Sequence, residues 1–298
     1  MFEGIRSPVV HMPQTLHNLI AVTTRFPNAL IWAGGTYIMS REDYYPKKGA
    51  QDIIYLGNVA ELKRIYRTDS YLEIGATVTI EQMLTVGKQV LPELLHTTLK
   101  QIGSQIVRRQ ITIGGALCTP DIRLALPVAL AALQAKVEIK ECAGQKSETR
   151  WIEVERLYDK QGRLLLKSNE LVTRIRVSYT PRSFCKFLIA KNPLFESEES
   201  VILSFSCHYS QSVLDRFRFC IAFPKRMMLV PREVDLIMHG VMLPLSSSHI
   251  DRVVRSVMQE ITDACEIEGP AIQLERATRF IETTLHELNA KSVLPAKG

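Results

Sequence analysis

The first part of the chain alternates between helix-like and strand-like patterns of apolar residues. Leu16, Leu19, Ile20 and Thr23 fall on one helical face, and Pro27 follows them. This pattern predicts an amphipathic helix that ends before the proline. The next segment, "NALIWAGGT", is a short apolar run that opens into a Gly-Gly pair, and it predicts a buried strand followed by a turn.

The segment that follows mixes short strands with helices. "DIIYLGNVAELKRIYRTDSYLEIGATVTIEQML" predicts a strand, a helical turn at Ala60–Lys63, a strand around Tyr71–Gly75 and a helix after Thr79, whose hydroxyl suits the N-cap position. "LPELLHTTLKQIGSQIV" predicts an amphipathic helix that ends near Gly103. A second Gly-Gly turn, a loop, a helix of small residues and several short strands then follow.

The pattern of apolar and polar residues changes after "SYTPRSF". "SVILSFSCHYSQSVLDRFRFCIAF" contains two β-rich runs joined by a polar turn, which predicts a hairpin. "SSSHIDRVVRSVMQEITDAC" places apolar residues from Ile250 to Ile261 on one helical face behind a serine N-cap. "AIQLERATRFIETTLHEL" predicts a final helix, so the last hundred or so residues form a small α+β unit.

Composition is that of an ordinary globular protein. The chain has 298 residues, 46% of them hydrophobic, which is enough for two or three packed cores. No apolar run approaches the roughly 18–20 residues of a membrane span, and the N-terminus lacks the pattern of a secretory signal. We therefore expect a cytoplasmic protein that does not enter a membrane.

Charge and cysteine content exclude further classes of function. The net charge is +6, but the basic residues are scattered and no nucleic-acid-binding module is evident, so no nucleic-acid partner is predicted. The six cysteines include no C-x-x-C pair, which argues against a zinc site and against a self-contained iron–sulfur cluster. We predict no metal site and no catalytic residue in this chain.

Each Gly-Gly pair, taken alone, has two interpretations. Glycines after a strand expose backbone N–H groups, which suits a phosphate. They suit any tight turn equally well. The chain contains neither a P-loop nor a G-x-G-x-x-G motif, so the common nucleotide-binding folds are disfavoured.

The order of the motifs is more specific than either pair. "LIWAGGT", "ELKRI", "IGATVT", "IGSQIVRRQITIGG" and "LPVALAAL" follow one another along the chain. This series resembles the FAD-binding medium subunit of the molybdenum hydroxylases, the xanthine dehydrogenase and carbon monoxide dehydrogenase group. The resemblance implies an α+β fold in which a two-subdomain FAD-binding domain of the PCMH type precedes a small α+β C-terminal domain. The implied FAD-binding domain spans residues 1–180, with subdomains of about 1–53 and 54–180. The implied C-terminal domain spans residues 181–298.

The resemblance also implies a set of cofactor-binding residues. In the family, backbone amides of the first glycine loop hold the FAD pyrophosphate, the second loop adds hydroxyl and amide donors, and a leucine and a lysine lie near the flavin or adenine. The corresponding residues here are Leu30, Ile31, Trp32, Ala33, Gly34, Gly35, Thr36 and Tyr37 in the first loop, Thr112, Gly114, Gly115 and Thr119 in the second, and Leu171 and Lys186 beyond them. Trp32 and Tyr37 are open to a second interpretation, as packing beneath the loop.

Four residues depart from the family pattern. Tyr37 stands where the family mostly has an acid, Arg109 and Ala116 each replace an asparagine, and Ala125 falls at the usual helix-initiating aspartate. Asp121 and Arg123 lie close enough to supply a shifted contact. The backbone cradle needs glycines and survives these changes, whereas some side-chain contacts to FAD do not.

Two hypotheses of function follow. In the first, the chain is an electron-transfer flavoprotein subunit and an oxidoreductase component, which receives electrons from an iron–sulfur subunit of a molybdopterin-containing complex and delivers them to NAD or another acceptor. The iron–sulfur and molybdopterin subunits are then its partners, and homodimerisation of the complex is left open. In the second, the chain keeps the fold but binds FAD weakly or not at all, and acts as a structural subunit. The resemblance does not identify the substrate.

Overall fold

The described residues form three sheets with associated helices. A computed structural model describes residues 8–40, 52–119, 125–142, 148–190, 200–224, 226–264 and 271–293. The first unit contains β1 (Val9–His11), α1 (Leu16–Arg25), β2 (Leu30–Trp32), α2 (Thr36–Met39) and β3 (Asp52–Tyr55). Its sheet is parallel with the order β1-β3-β2.

Helix α1 packs against the first sheet through the apolar face that the sequence predicts. The Thr15 hydroxyl accepts a hydrogen bond from the Asn18 amide at 3.2 Å and caps the helix, as an N-cap residue does. Leu19 is fully buried and packs with Ile54 and Leu62 in a small core. The helix ends at Arg25, before Pro27, as predicted.

The second unit is a larger antiparallel sheet with helices on one side. Its elements are β4 (Ile65–Arg67), β5 (Tyr71–Gly75), α3 (Ile80–Val86), α4 (Glu93–Lys100), α5 (Gln105–Arg108), α6 (Ile113–Leu117), α7 (Ala125–Ala132), β6 (Lys136–Glu141), β7 (Thr149–Glu153) and β8 (Glu170–Ser178). The strand order is β4-β5-β8-β6-β7. Thr79 and Gln82 form a reciprocal capping box at the start of α3, which confirms the predicted N-cap.

Two local predictions in this unit need correction. The second Gly-Gly pair was expected in a turn and a loop, but it lies inside helix α6. The helix expected to end near Gly103 ends at Lys100, and α5 follows it as a separate turn. Gly103 has a φ of +56°, a conformation that interrupts a helix and that glycine adopts without strain.

The third unit is a four-stranded antiparallel sheet followed by helices. Its elements are β9 (Phe184–Ala190), β10 (Val201–Ser210), β11 (Val213–Phe223), β12 (Met227–Leu229), α8 (Arg232–Met238), α9 (Ser247–Ala264) and α10 (Ala271–Val293). The order is β12-β11-β10-β9, so the predicted hairpin is the centre of a larger sheet. The predicted apolar stripe from Ile250 to Ile261 is buried on α9.

The third sheet is covered on both faces. Phe205 and neighbouring residues pack with α9 and α10, whereas Ile202 belongs to the core of the second unit. The Ser206 hydroxyl donates to the Ala132 carbonyl at the end of α7 at 2.7 Å. Because both faces of the strand are covered, even Ser204 and Ser206 of β10 are buried. The division at residue 180 stays a prediction.

No helix among the described ranges is long and apolar enough to cross a membrane.

Candidate functional site

The first glycine pair lies between strand β2 and helix α2. β2 pairs in parallel with β3, and the chain leaves the sheet after Trp32. Gly35 has a φ of +71°, and a Cβ there would lie 2.3 Å from the Trp32 ring. Both the backbone conformation and the ring beneath it therefore require glycine. Trp32 packs against the loop, which is one of the two interpretations given to it.

The second glycine pair is held against strand β5. Thr112 is the N-cap of α6, and its hydroxyl accepts from the Gly115 amide at 3.1 Å. The Gly114 amide donates to the Ala76 carbonyl at 2.8 Å. A Cβ on Gly114 would lie 2.6 Å from the Ala76 Cβ. The glycine therefore allows α6 to approach the residue that follows β5.

The two glycine segments touch each other. A Cβ on Gly34 would lie 1.7 Å from the Gln110 carbonyl oxygen and 3.5 Å from Thr112 Cγ2. The first glycine loop therefore lies directly on the backbone segment that leads into α6. The fold brings together the two motifs that the sequence separates by more than seventy residues.

The backbone amides of the two segments differ in their partners. Within the part of the chain that the structure describes, the amides of Gly34, Gly35 and Thr36 donate to no acceptor. The amides of Gly114 and Gly115 are both used inside the protein. Successive N–H groups around a residue of positive φ form a concave donor set that binds anions. The first segment therefore has the chemistry of an anion cradle, and the second mainly supports it.

Leu171 joins the first loop from the second unit. It lies on β8 and packs in one cluster with Ile31 and Ala33. A cavity of about 130 Å³ opens beside them, lined also by Cys142 and Asn169. Two predicted site residues, Ile31 and Leu171, thus line the same cavity.

Other predicted residues have different surroundings. Lys186 lies on β9, and its Nζ is 2.6 and 2.7 Å from the two Glu287 carboxylate oxygens on α10. No hydrogen bond or ion pair connects Lys186 to either glycine segment among the described residues. Thr119 is buried and its hydroxyl lies 3.5 Å from the Ala116 carbonyl. Leu30 belongs to β2 and is half-buried.

The four residues that depart from the family pattern lie in different environments. Ala116 and Ala125 are buried in the core of the second unit, where an asparagine or aspartate would require hydrogen-bonding partners. Arg109 is exposed, and Tyr37 is half-buried on α2. Asp121 and Arg123 lie outside the described residues. The apolar side chains at 116 and 125 therefore serve packing.

Two positions of the site were not predicted. The Ala76 carbonyl oxygen accepts a hydrogen bond from the Gly114 amide. The Gln110 carbonyl oxygen lies close to Gly34 and leaves no space for a Cβ there. No side-chain property marks such residues. The small residues in "IGAT" were the available signal for the close approach at Ala76, because only a small side chain admits a helix at that distance.

A half-buried cysteine, Cys118, follows α6. Burial raises the pKa of Cys118 to about 12, so the thiol stays protonated at neutral pH. It is therefore no nucleophile. Among the described residues no cluster of histidine, cysteine and carboxylate side chains could hold a metal ion.

Comparison with known proteins adds an independent line of evidence. Residues 2–179 match the family described as the FAD binding domain in molybdopterin dehydrogenase. A glyceraldehyde dehydrogenase medium chain from Sulfolobus acidocaldarius is 30% identical over 129 residues, which are 42% of this chain. The match spans 43% of that relative's length.

Two solved structures have the same fold along nearly the whole chain. Quinoline 2-oxidoreductase from Pseudomonas putida 86 matches 98% of this chain and 100% of its own, with a TM-score of 0.78 and 17% identity. Carbon monoxide dehydrogenase from Hydrogenophaga pseudoflava matches 96% of this chain and 98% of its own, also with a TM-score of 0.78 and 17% identity. At this identity the likeness concerns the fold. The family match covers more than half of the chain, and this protein therefore belongs to the FAD-binding domain family of the molybdopterin dehydrogenases.

Proposed function

We propose that this chain is the FAD-binding medium subunit of a molybdenum hydroxylase-type dehydrogenase. It takes electrons from an iron–sulfur subunit and passes them to NAD or another acceptor. The observation that carries the proposal is the set of three amides at Gly34, Gly35 and Thr36, which lack an acceptor within the described chain in a member of an FAD-binding family.

These amides would hold the pyrophosphate of FAD. Hydrogen bonds from backbone N–H groups to a charged acceptor contribute about 1.5–3 kcal/mol each, so the cradle needs no charged side chain. The Thr112 hydroxyl accepts from Gly115 and keeps its own proton free to donate. Leu30, Trp32, Tyr37, Thr119 and Lys186 stay in the proposed set on the family resemblance. Gly114 and Gly115 would act by positioning Thr112 against the first loop.

The remaining parts of the proposal concern the complex. FAD, when bound, supplies the redox chemistry by accepting and releasing electrons. The protein contributes position, the exclusion of water and the electrostatics of the amides. The iron–sulfur and molybdopterin groups would lie in partner subunits, and the chemistry of the substrate would belong to the molybdopterin subunit.

The first test is the absorption spectrum of the purified protein between about 300 and 550 nm, where flavins absorb. We expect flavin bands, as purified or after adding FAD and removing the excess, and release of FAD on denaturation. A protein that stays colourless in excess FAD would refute the proposal and would favour the structural-subunit alternative.

The second test locates the cofactor through amide exchange. Hydrogen–deuterium exchange should show fast exchange in a peptide covering Gly34 to Thr36 without FAD, because these amides have no acceptor. FAD should slow it at least tenfold. A peptide covering Gly114 and Gly115 is the internal control, since its amides are already bonded and should respond less. Protection of the second peptide alone would contradict the proposed cradle.

A further inference from the structure

A second cavity, of about 390 Å³, lies where the second unit meets the third. Its walls come from the end of α7, the segment after β8, strands β10 and β11, and helix α8. This volume lies within the range of small-molecule sites, about 300–1,000 Å³. The residues that line it are mostly polar or charged, and no part of the FAD cradle belongs to it.

Arg182 forms one wall, and none of the described carboxylates pairs with it. Its guanidinium donates to the carbonyls of Ser178, Thr180 and Leu133 at 3.0–3.2 Å. These bonds fix the side chain in place but leave its positive charge uncompensated. Burial lowers the pKa of Arg182, and the charge of Arg216 lowers it further. The two guanidinium groups thus repel each other across the site.

Arg216 is the second cation without a partner. It lies on β11 opposite His208 of β10. Its guanidinium makes no ion pair or hydrogen bond within the described ranges of the chain. A guanidinium without a polar partner is available to a ligand, and its replacement should not disturb the fold.

Arg218 supplies a buried donor on the same strand. It donates to Asp235 at 2.6 Å and to Glu155 at 2.7 Å, so its charge is matched by carboxylates. Its Nε is buried and has no hydrogen-bond acceptor. Arg218 is therefore a fixed part of the cavity wall and adds no free charge for a ligand.

Acidic groups also line the cavity, but they do not neutralise it. Asp235 is engaged by Arg218. Asp215 is partly exposed, and its Oδ2 lies 3.9 Å from His208 Nε2, beyond hydrogen-bond distance. No ion pair joins Asp215 to Arg182 or Arg216 among the described residues. The lining holds three arginines and two aspartates, so one net positive charge remains for an anion.

We propose that this cavity binds a small organic oxyanion, a carboxylate or a phosphate ester, between Arg182 and Arg216. Guanidinium groups bind carboxylate and phosphate oxygens through paired hydrogen bonds. Because the walls come from two units of the fold, the bound anion also links the second unit to the third. The site is independent of FAD.

The test is isothermal titration calorimetry on the full chain, with malonate and inorganic phosphate as probes. Excess FAD is present so that phosphate does not bind the first glycine loop, and ionic strength is held constant with chloride. We expect saturable binding of at least one probe, weakened at least tenfold by Arg216→Gln. Arg252→Gln is the matched control because Arg252 is an exposed arginine on α9, and it should bind like the wild type.

Three outcomes would overturn the proposal. These are the absence of saturable binding of either probe to the wild type, equal binding by Arg216→Gln, and equal weakening by both variants. The last outcome would mean that only the net charge matters. Melting temperatures of the two variants, measured without anion, verify that both are folded.

Discussion

The contact between Gly34 and Gln110 makes a sharp prediction about the link between packing and cofactor binding. In Gly34→Ala the new Cβ would lie 1.7 Å from the Gln110 carbonyl oxygen, whereas ordinary contacts begin at 3.4 Å. The two backbones must therefore separate by about 1.7 Å. Gln110 cannot easily retreat, because its amide and that of Ile111 both donate to the Val107 carbonyl.

The cost of this substitution can be estimated from two effects. Overpacking of this kind costs about 1–3 kcal/mol of unfolding free energy, and each kcal/mol lowers the melting temperature by about 2–4 °C in a domain of 150–250 residues. The shift also displaces the amides of the first loop. Loss of a single charge-assisted hydrogen bond, worth about 1.5–3 kcal/mol, weakens FAD binding at least about tenfold.

The control is Gly87→Ala. Gly87 has a φ of +94° and open space at its Cβ position, so alanine there costs about 1–2 kcal/mol in backbone strain alone. We expect both variants to melt below the wild type and only Gly34→Ala to lose FAD affinity. The assays are thermal denaturation and titration of FAD followed by absorbance. A Gly34→Ala protein with wild-type melting temperature and FAD affinity would refute the argument, and so would an equal loss of affinity in Gly87→Ala.

Three further predictions concern stability and its dependence on pH. Thr79→Ala removes the capping box of α3 and should lower the unfolding free energy by about 1 kcal/mol in urea titrations; no change would mean the cap is dispensable. A double-mutant cycle on Lys186 and Glu287, a partly exposed ion pair, should give a coupling of at most about 1 kcal/mol, and a larger value would contradict a surface-type pair. Burial favours protonation of Glu138, but hydrogen bonds from Arg174 among others leave the pKa of this carboxyl below its ordinary value. Its contribution is therefore present above about pH 4.5 and is lost as pH falls through the folded-state pKa, so urea midpoints should fall less steeply with acid in Glu138→Gln than in the wild type.

Periodicity was sufficient to predict the long elements of the fold. The apolar stripes of α1 and α9 and the capping threonine of α3 are local features, and each is observed where it was expected. Four of the described strands have only three residues each, too few for alternation to appear; β2 was predicted from its apolar run before the glycine pair, whereas β1, β4 and β12 were not. They exist because a neighbouring strand supplies hydrogen bonds, as β3 does for β1, and such partners are remote in sequence.

The third unit shows how tertiary packing hides a pattern. β10 begins with three apolar residues, Val201 to Leu203, and then alternates serine with Phe205 and Cys207, which indicated a strand but not what covers it. Alternate residues of this strand belong to two different cores. The contact of Ser206 with the end of α7 depends on a helix some seventy residues earlier. Local sequence contains no signal for such a contact.

The two glycine pairs illustrate why the site could be predicted only in part. Both pairs have the same composition, and the family resemblance implied backbone donors for FAD in both. A backbone amide can serve a ligand only when the fold leaves it without an acceptor. Strand β5 brings the Ala76 carbonyl to Gly114, and Thr112 satisfies Gly115, whereas nothing in the described chain does the same for Gly34 and Gly35. Equal sequence signals thus have unequal chemical roles, and the exchange experiment on the two peptides measures that difference directly.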